Sequence, residues 1–347
     1  MRNFIKYSSI LVLLLCFQNI TLAQSVKLLN RYKTHSNLYS SPVVTKGDVV
    51  VFCGHDKHVY FFDKSTKLIA DYKTKGWIHA SPEVLSNGNI IIGSYDKNMY
   101  IFNSKGELQE SFKPGGRIFS KVLELPNNKL VFGSNKKGLV FYNLNDNTSL
   151  CFKTKKLTHT DLFLTKDGNI LTGSLGKYVY KISPEAKELF KFKTKGWVLH
   201  SKPTELSNGT IVAGSYDKSL YFLDSSLKEK TKFVTGGEIH GNPLVLSNGT
   251  IVIGSFDKSV YFLDEEGGLK YKFVTDGKVI SSPVQLSDGT VVVCSYDHYV
   301  YFLTPQAELI AKYKTEGHIF STPVVMSDNT VVVGSNDNYI YFLKLEI

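Results

Sequence analysis

A unit of about 40 residues recurs eight times between residue 26 and the C-terminus, and it restricts the fold more than any other feature of the chain. The strong copies are GSYDKNMYIF (93–102), GSYDKSLYFLD (214–224), GSFDKSVYFLD (254–264), CSYDHYVYFLT (294–304) and GSNDNYIYFLK (334–344). Weaker copies are CGHDKHVYFFD (53–63), GSNKKGLVFYN (133–143) and GSLGKYVYKIS (173–183). Taken at Gly54, Gly93, Gly133, Gly173, Gly214, Gly254, Cys294 and Gly334, the steps are 39, 40, 40, 41, 40, 40 and 40 residues. A short unit cannot bury its apolar face alone and must stack on its neighbours. A period near 40 with four short strands per unit is a propeller period.

Each unit splits into four strand-like pieces, A to D; in the sixth they are HGNPLVLS, TIVIGS, SVYFLD and LKYKFVT. Asn87-Gly88, Asp167-Gly168, Asn208-Gly209, Asn248-Gly249 and Asp288-Gly289 join A to B, and such dipeptides suit a two-residue hairpin with positive φ. The content of 20 Tyr and 22 Phe fits β structure, and no amphipathic helix pattern occurs. The segment VKLLNRYKT (26–34) is a D strand without its A, B and C, while the last unit stops after C. The first strand is therefore expected to complete the last blade and remove the open sheet edges. The sequence predicts an all-β, eight-bladed β-propeller over residues 24–347, closed non-covalently, with seven blades as the alternative.

Residues 1–23 read as a secretory signal: Arg2 and Lys6, then an apolar stretch from Ile10 to Phe17, then small residues at Thr21-Leu22-Ala23. Cys16 follows Leu15, where a lipoprotein signal requires a small residue. The mature chain would be periplasmic, outer-envelope-associated or secreted. It has no further apolar run long enough to span a bilayer. It keeps Cys53, Cys151 and Cys294, an odd number that argues for buried free thiols rather than a disulfide framework. Removing Arg2 and Lys6 takes the net charge from +10 to 10 − 2 = +8. The lysines lie at regular D-strand positions (Lys33, Lys73, Lys113, Lys153, Lys193, Lys232, Lys272, Lys314), as edge protection rather than a nucleic-acid patch. A monomer is expected.

The order small-Ser-Pro, apolar strand, Asn-Gly, apolar strand, Gly-Ser-x-Asp, Tyr-Phe-Leu-Asp, Phe-Lys-Thr resembles the pyrroloquinoline-quinone-like propeller repeat, over essentially all of residues 26–347. That repeat occurs in quinoprotein dehydrogenases and in the outer-membrane assembly lipoprotein of the BamB type. One departure is clear. Where the family's D strand often carries Trp, this chain has Tyr32, Tyr72, Phe112, Phe192, Phe233, Phe273 and Tyr313. WD repeats fit less well, since no Trp-Asp dipeptide is present. The resemblance implies the fold and leaves the function open.

On a uniform scaffold, the positions that vary between copies are the candidates for binding. In a propeller the D–A and B–C loops share one face. The D–A loops carry Asn37, Trp77, Arg117, Leu157, Trp197, Glu238, Lys278 and His318, and the chain's two tryptophans both fall here in Lys-Gly-Trp sequences. Exposed aromatics beside cations suit a protein hot spot or sugar stacking. Three residues before the strand-A proline position stand Tyr39, His79, Phe119, His159, His200, His240, Ile280 and Phe320. We read this ring as a polar aromatic lining of the channel mouth; a three-histidine zinc site at His159, His200 and His240 is the sharper alternative. One residue before the proline position, Lys121, Asp161 and Lys202 interrupt a row of small polar residues and form a channel charge cluster. The repeated aspartates Asp56, Asp96, Asp217, Asp257, Asp297 and Asp337 are read as turn-forming residues.

Eight units use up the chain and leave no long loop for a lid or an elaborate active site. The expected function is a non-catalytic recognition module or scaffold that binds an envelope or extracellular protein through the D–A face, with no cofactor. A carbohydrate-binding propeller is the alternative. A quinone-dependent dehydrogenase is less favoured: the vicinal Cys-Cys pair of some quinoproteins is absent, and Asp161 is the lone acid in its ring.

Overall fold

The computed structural model describes residues 24–136 and 138–346, so residues 1–23, which the sequence reading takes as a signal, lie outside the described residues. Eight four-stranded antiparallel sheets stand around a ring. Blade 1 consists of Val43–Val44, Val50–Cys53, His58–Phe62 and Leu68–Lys73, strands A to D from the channel outward. Blades 2 to 7 follow at 83–112, 123–152, 163–193, 204–234, 244–274 and 284–314. Blade 8 takes Val324–Val325, Val331–Gly334 and Tyr339–Glu346 from the C-terminal end and Ser25–Lys33 from the N-terminal end. The two ends pair antiparallel from Ser25↔Glu346 to Lys33↔Tyr339. Eight blades and the non-covalent closure are both as the repeat predicts.

The burial follows from the packing of blades face to face. Strand B of blade 1, VVFC, is buried at every residue, and strand C is buried from Val59 to Phe62. Both faces of these strands meet a neighbouring blade, so their sequence is a continuous apolar run rather than an alternation. Strand D lies outermost and is mostly exposed. The core is accordingly divided into eight packets, each shared by two adjacent blades. The packet across the closure contains Leu38, Phe52, Phe62, Val332, Ile340 and Phe342.

The structure corrects three local readings. The A–B hairpins are three-residue loops, not two-residue ones: Gly88 N–H donates to Leu85 O (2.9 Å) and Leu85 N–H to Asn89 O (2.7 Å). Gly88 is at φ +85° while Asn87 is not in the left-handed region, which is a type I turn followed by a G1 bulge. The asparagine closes the turn, since Asn87 Oδ1 accepts Asn89 N–H at 3.0 Å. Second, Cys53 and not Gly54 occupies the repeat's glycine position, because Cys53 pairs with Val59 as Gly93 pairs with Met99. The step of 39 is thus 40. At most copies this position must be glycine: a Cβ on Gly93 would lie 2.4 Å from the Ile118 side chain. Third, Cys53 and Cys294 are buried free thiols, but Cys151 is exposed.

Phe342 stacks edge-on against Phe62 of blade 1, with ring centroids 5.4 Å apart, and is fully buried. Phe342→Ala is expected to cost about 3–5 kcal/mol, read as a lower denaturation midpoint at unchanged slope. A loss below about 1 kcal/mol would mean that the closing packet does not hold the ring.

Candidate functional site

Two sets of hydrogen bonds fix the geometry of the D–A face. The first is built on the repeated aspartates. Asp96 accepts Asn98 N–H in its own turn (2.9 Å), the Tyr100 hydroxyl of its own strand C (2.8 Å), and Lys75 N–H of the loop arriving from blade 1 (3.0 Å). Asp56, Asp217, Asp257, Asp297 and Asp337 repeat the pattern with Tyr60, Tyr221, Tyr261, Tyr301 and Tyr341. They are turn residues as expected, and in addition they link blades. These contacts hold the Asp96, Asp217 and Asp257 carboxyls below the usual range despite burial, which acts the other way. Blades 3 and 4 carry Lys136 and Gly176 at the aspartate position; in blade 4 the Tyr180 hydroxyl takes Lys155 N–H directly, at 3.1 Å.

The second set encircles the channel. At the position before the proline, the backbone N–H of one blade donates to the side chain of the next: Ser41 to Ser81, Lys121 to Asp161, Lys202 to Asn242, Asn242 to Ser282, Ser282 to Thr322 and Thr322 to Ser41, at 2.6–3.3 Å. At the other two of the eight junctions the acceptor would have to be Lys121 or Lys202. An ammonium has no lone pair to offer. Lys121 Nζ instead pairs with Glu83 (2.5 Å), and Lys202 Nζ lies over the Phe163 ring (5.6 Å). The expected charge cluster therefore exists as neighbours, but Asp161 serves the Lys121 backbone rather than its ammonium. Burial holds the Lys121 ammonium below its usual range.

This belt separates an upper space of about 90 Å³ from a lower chamber of about 450 Å³, both bordered by Ser41, Ser81, Asp161, Asn242 and Thr322. The upper space is capped by the bulky ring. Phe119 stacks on His159 (4.3 Å between centroids), and His79 meets His159 edge-on (6.3 Å). His200 of blade 5 reaches Phe320 of blade 8 (6.1 Å), so side chains meet across the axis. Tyr39 packs on Phe320 (5.6 Å). The ring is a plug rather than an open lining. Blade 5 carries one extra residue here, Leu199-His200 where blade 2 has His79 alone, and His200 takes φ +65°. The step of 41 residues arises at this point. Next to it, Ser201 Oγ is buried without a hydrogen-bond partner, whereas Ser281 and Ser321 bond the end of strand B.

Burial, then the neighbouring imidazoles, lowers His79 to about 4 and His200 to about 4. Burial also lowers His55 and His159, and burial followed by Lys278 lowers His240. His240 is neutral and bridged: the Tyr216 hydroxyl lies 3.0 Å from Nδ1, and Nε2 lies 2.8 Å from Glu238. Burial and Glu238 raise Tyr216, so the phenol keeps its proton and donates it to Nδ1. His159, His200 and His240 do not gather their ring nitrogens as a zinc triad would; among the described residues the group within ligand reach is elsewhere, at His35, His58 and Asp71.

Around the plug lies the outer annulus of the face. Trp77 is 52% exposed and Trp197 45% exposed. Trp77 stacks nearly parallel on His55 (5.4 Å, 11°), and His55 Nε2 lies 3.1 Å from His79 Nδ1, joining annulus to plug. Arg117 lies over Tyr95 (5.8 Å) and Lys278 over Phe256 (4.6 Å). His318 stacks on Tyr296 (5.0 Å). Five of the eight loop residues, Trp77, Arg117, Trp197, Lys278 and His318, thus rest on the residue before a repeated aspartate: His55, Tyr95, Tyr216, Phe256 and Tyr296. These B–C partners escape a reading of the D–A loops alone. Their signal was the variable x of Ser-x-Asp, aromatic in most strong copies.

No family model matches the sequence, and no curated protein matches it. Solved structures do. The chain is similar to BamB from Moraxella catarrhalis (12% identity, TM-score 0.72, 92% of this chain and 97% of that one). It is also similar to the computationally designed Ika8 protein (16%, 0.75, 91% and 99%) and to the WD40 propeller domain of Doa1 (16%, 0.64, 92% and 97%). What they share is the propeller. The BamB-like resemblance read from the repeat is met at the level of fold.

Because the plug imidazoles have folded pKa values near 4 against about 6.5 unfolded, the unfolded chain binds more protons between those limits. Their stabilising contribution is whole above pH ~6.5 and is lost as pH falls toward 4, by on the order of 3 kcal/mol for an uncoupled buried imidazole. Thermal melts from pH 7.5 to 4.5 should show a falling Tm, with a flatter profile for His79→Gln/His200→Gln. A Tm independent of pH over this range would contradict the neutral plug.

Proposed function

We propose that this propeller is a non-catalytic recognition module, and that its D–A face binds an acidic segment of an envelope or extracellular protein. The observation that carries this reading is the half-exposed Trp77, set in a shallow groove with Lys57, Lys75, Tyr95 and Arg117. A large indole held rigid by His55 loses little conformational entropy on binding, and guanidinium and ammonium groups around it favour carboxylates. Trp197 lies in a second groove with Tyr216 and Lys177, where Glu238 stands at the position that Arg117 holds beside Trp77, so the cationic character belongs to the Trp77 groove. The signal-like segment 1–23 supports export, which puts such partners in the periplasm, on the outer envelope or outside the cell. The channel residues Tyr39, His79, Phe119, His159, His200, His240 and Phe320 are assigned to support beneath the face, and Lys121, Asp161 and Lys202 to the chamber below. The proposal includes no cofactor and no catalytic residue. A glycan is the second reading, favoured by the coplanar Trp77–His55 platform.

The test places a photocrosslinker at Arg117 or Lys278 on this face and at Asn208 on the opposite one, in the exported protein within its own envelope. A defined protein captured from the D–A face, and lost on Trp77→Ala/Trp197→Ala at unchanged Tm, is the expected result. The affinity loss should exceed about tenfold, since a hot-spot indole is worth 2 kcal/mol or more. Capture unaffected by the double variant, or from the opposite face alone, would overturn the assignment. Binding on a glycan panel without any protein partner would favour the second reading.

A further inference from the structure

The eight repeats act as internal controls for one another, and in blade 1 three repeat positions depart from the pattern together. In the D–A loops, the residue after the buried Thr34 or its equivalent is His35 before blade 1, but Lys75, Lys155, Lys195, Asp276 and Glu316 before blades 2, 4, 5, 7 and 8. The first residue of strand C in blade 1 is His58, against Asn98, Ser219, Ser259 or Tyr339 in other blades. The strand-D residue opposite the strand-C tyrosine is Asp71 in blade 1, where four other blades have lysine and blade 8 has Arg31. Three of those lysines lie over tyrosines; Lys272 Nζ, for example, is 5.1 Å from the Tyr261 ring. Blade 1 has exchanged a cation for an acid and placed two imidazoles beside it.

The three side chains meet. His58 Nδ1 lies 2.6 Å from Asp71 Oδ1, the His35 and His58 rings are 5.1 Å apart, and one ligand atom from each residue falls within 4.8 Å of the others. Their support is rigid. His58 stacks on Tyr60 (5.7 Å, 16°), His58 N–H donates to Asp56 Oδ1 (3.0 Å), and His35 N–H lies 3.3 Å from Asp56 Oδ2. The group is open to solvent on one side, with His35 and Asp71 exposed.

We propose that His35, His58 and Asp71 bind one divalent transition metal of the zinc class. Two imidazoles and a carboxylate are the donor set that such ions prefer over magnesium or calcium, and three protein ligands leave a position for water. Zinc bonds ring nitrogens at roughly 2.0–2.1 Å, so binding requires the exposed His35 ring to move toward the other two donors. The hydrogen bond between His58 and Asp71 is exchanged for two bonds to the metal, and the Nδ1 proton of the neutral imidazole passes by way of solvent to Nε2, so that His58 ligates as a neutral ring. The position gives the metal a structural role. His35 lies two residues beyond the closing strand Ser25–Lys33, while His58 and Asp71 belong to blade 1. The ion fastens the exit of the closing strand to the first blade.

The test uses the purified mature chain after chelator treatment. Calorimetric titration with Zn²⁺, and absorption with Co²⁺, should show one site that Mg²⁺ does not occupy, together with a rise in Tm on Zn²⁺ addition. His35→Gln and Asp71→Asn, each checked for an unchanged metal-free Tm, should weaken Zn²⁺ by more than about tenfold and abolish the Tm rise. His318→Gln, which alters a second histidine pair (His298–His318, 4.6 Å), should change neither. No Zn²⁺ binding, or binding indifferent to His35→Gln and Asp71→Asn, overturns the site. Binding that leaves Tm unmoved overturns the fastening role.

Discussion

Every packet of this protein's core belongs to two blades at once, and that constraint governs the rest of the structure. A blade presents two apolar faces and can satisfy neither by itself. Only a closed ring covers them all. The last blade must therefore be assembled from both chain ends, and the pairing of Ser25–Lys33 with Tyr339–Glu346 is the step that completes the first and last packets together. Directional bonds then set the angle between neighbours. The aspartates tie six of the eight incoming loops to the next blade, and the belt before the prolines ties the inner strands at six of the eight junctions. Apolar burial supplies the attraction, and these bonds supply the register.

The face inherits its character from that register. Because the D–A loops are pinned to the turn of the blade they enter, by its aspartate in six cases, the variable residue is held against the aromatic B–C residue of the blade the loop leaves. Trp77 is half-exposed yet immobilised on His55, and Arg117 and Lys278 are stationed over rings. The same delivery brings the plug histidines to the axis, where burial keeps them neutral. A rigid, uncharged hub carries a polar and aromatic annulus.

The period, the four strands per unit and the complementary chain ends are visible in the sequence because they repeat, and repetition averages out local ambiguity. The blade count and closure were legible for that reason. Features carried by a single copy were harder to see. Cys53 looked like the residue before the repeat glycine because Gly54 follows it and draws the alignment by one, although only strand pairing decides the register. Asn-Gly suggested a two-residue hairpin, but the loop length is set by which residues pair, and the asparagine acts through its side chain. The D–A residues and channel histidines could be found as variable positions, and their B–C partners as the aromatic x of Ser-x-Asp; the contacts across the axis and the group at His35, His58 and Asp71 join residues whose spacing along the chain carries no motif.

The hydrogen-bonded belt has one further consequence. Its two missing links, at Lys121 and Lys202, and the two absent aspartate ties, at Lys136 and Gly176, fall on neighbouring blades 3 to 5. The junction of blades 8 and 1 has both kinds of tie, through Thr322 to Ser41 and through Asp56. A hoop normally springs open at its join. Here the join is reinforced, and the compliant arc lies on the far side of the ring, where the covalent chain is continuous and can flex without letting the circle come apart.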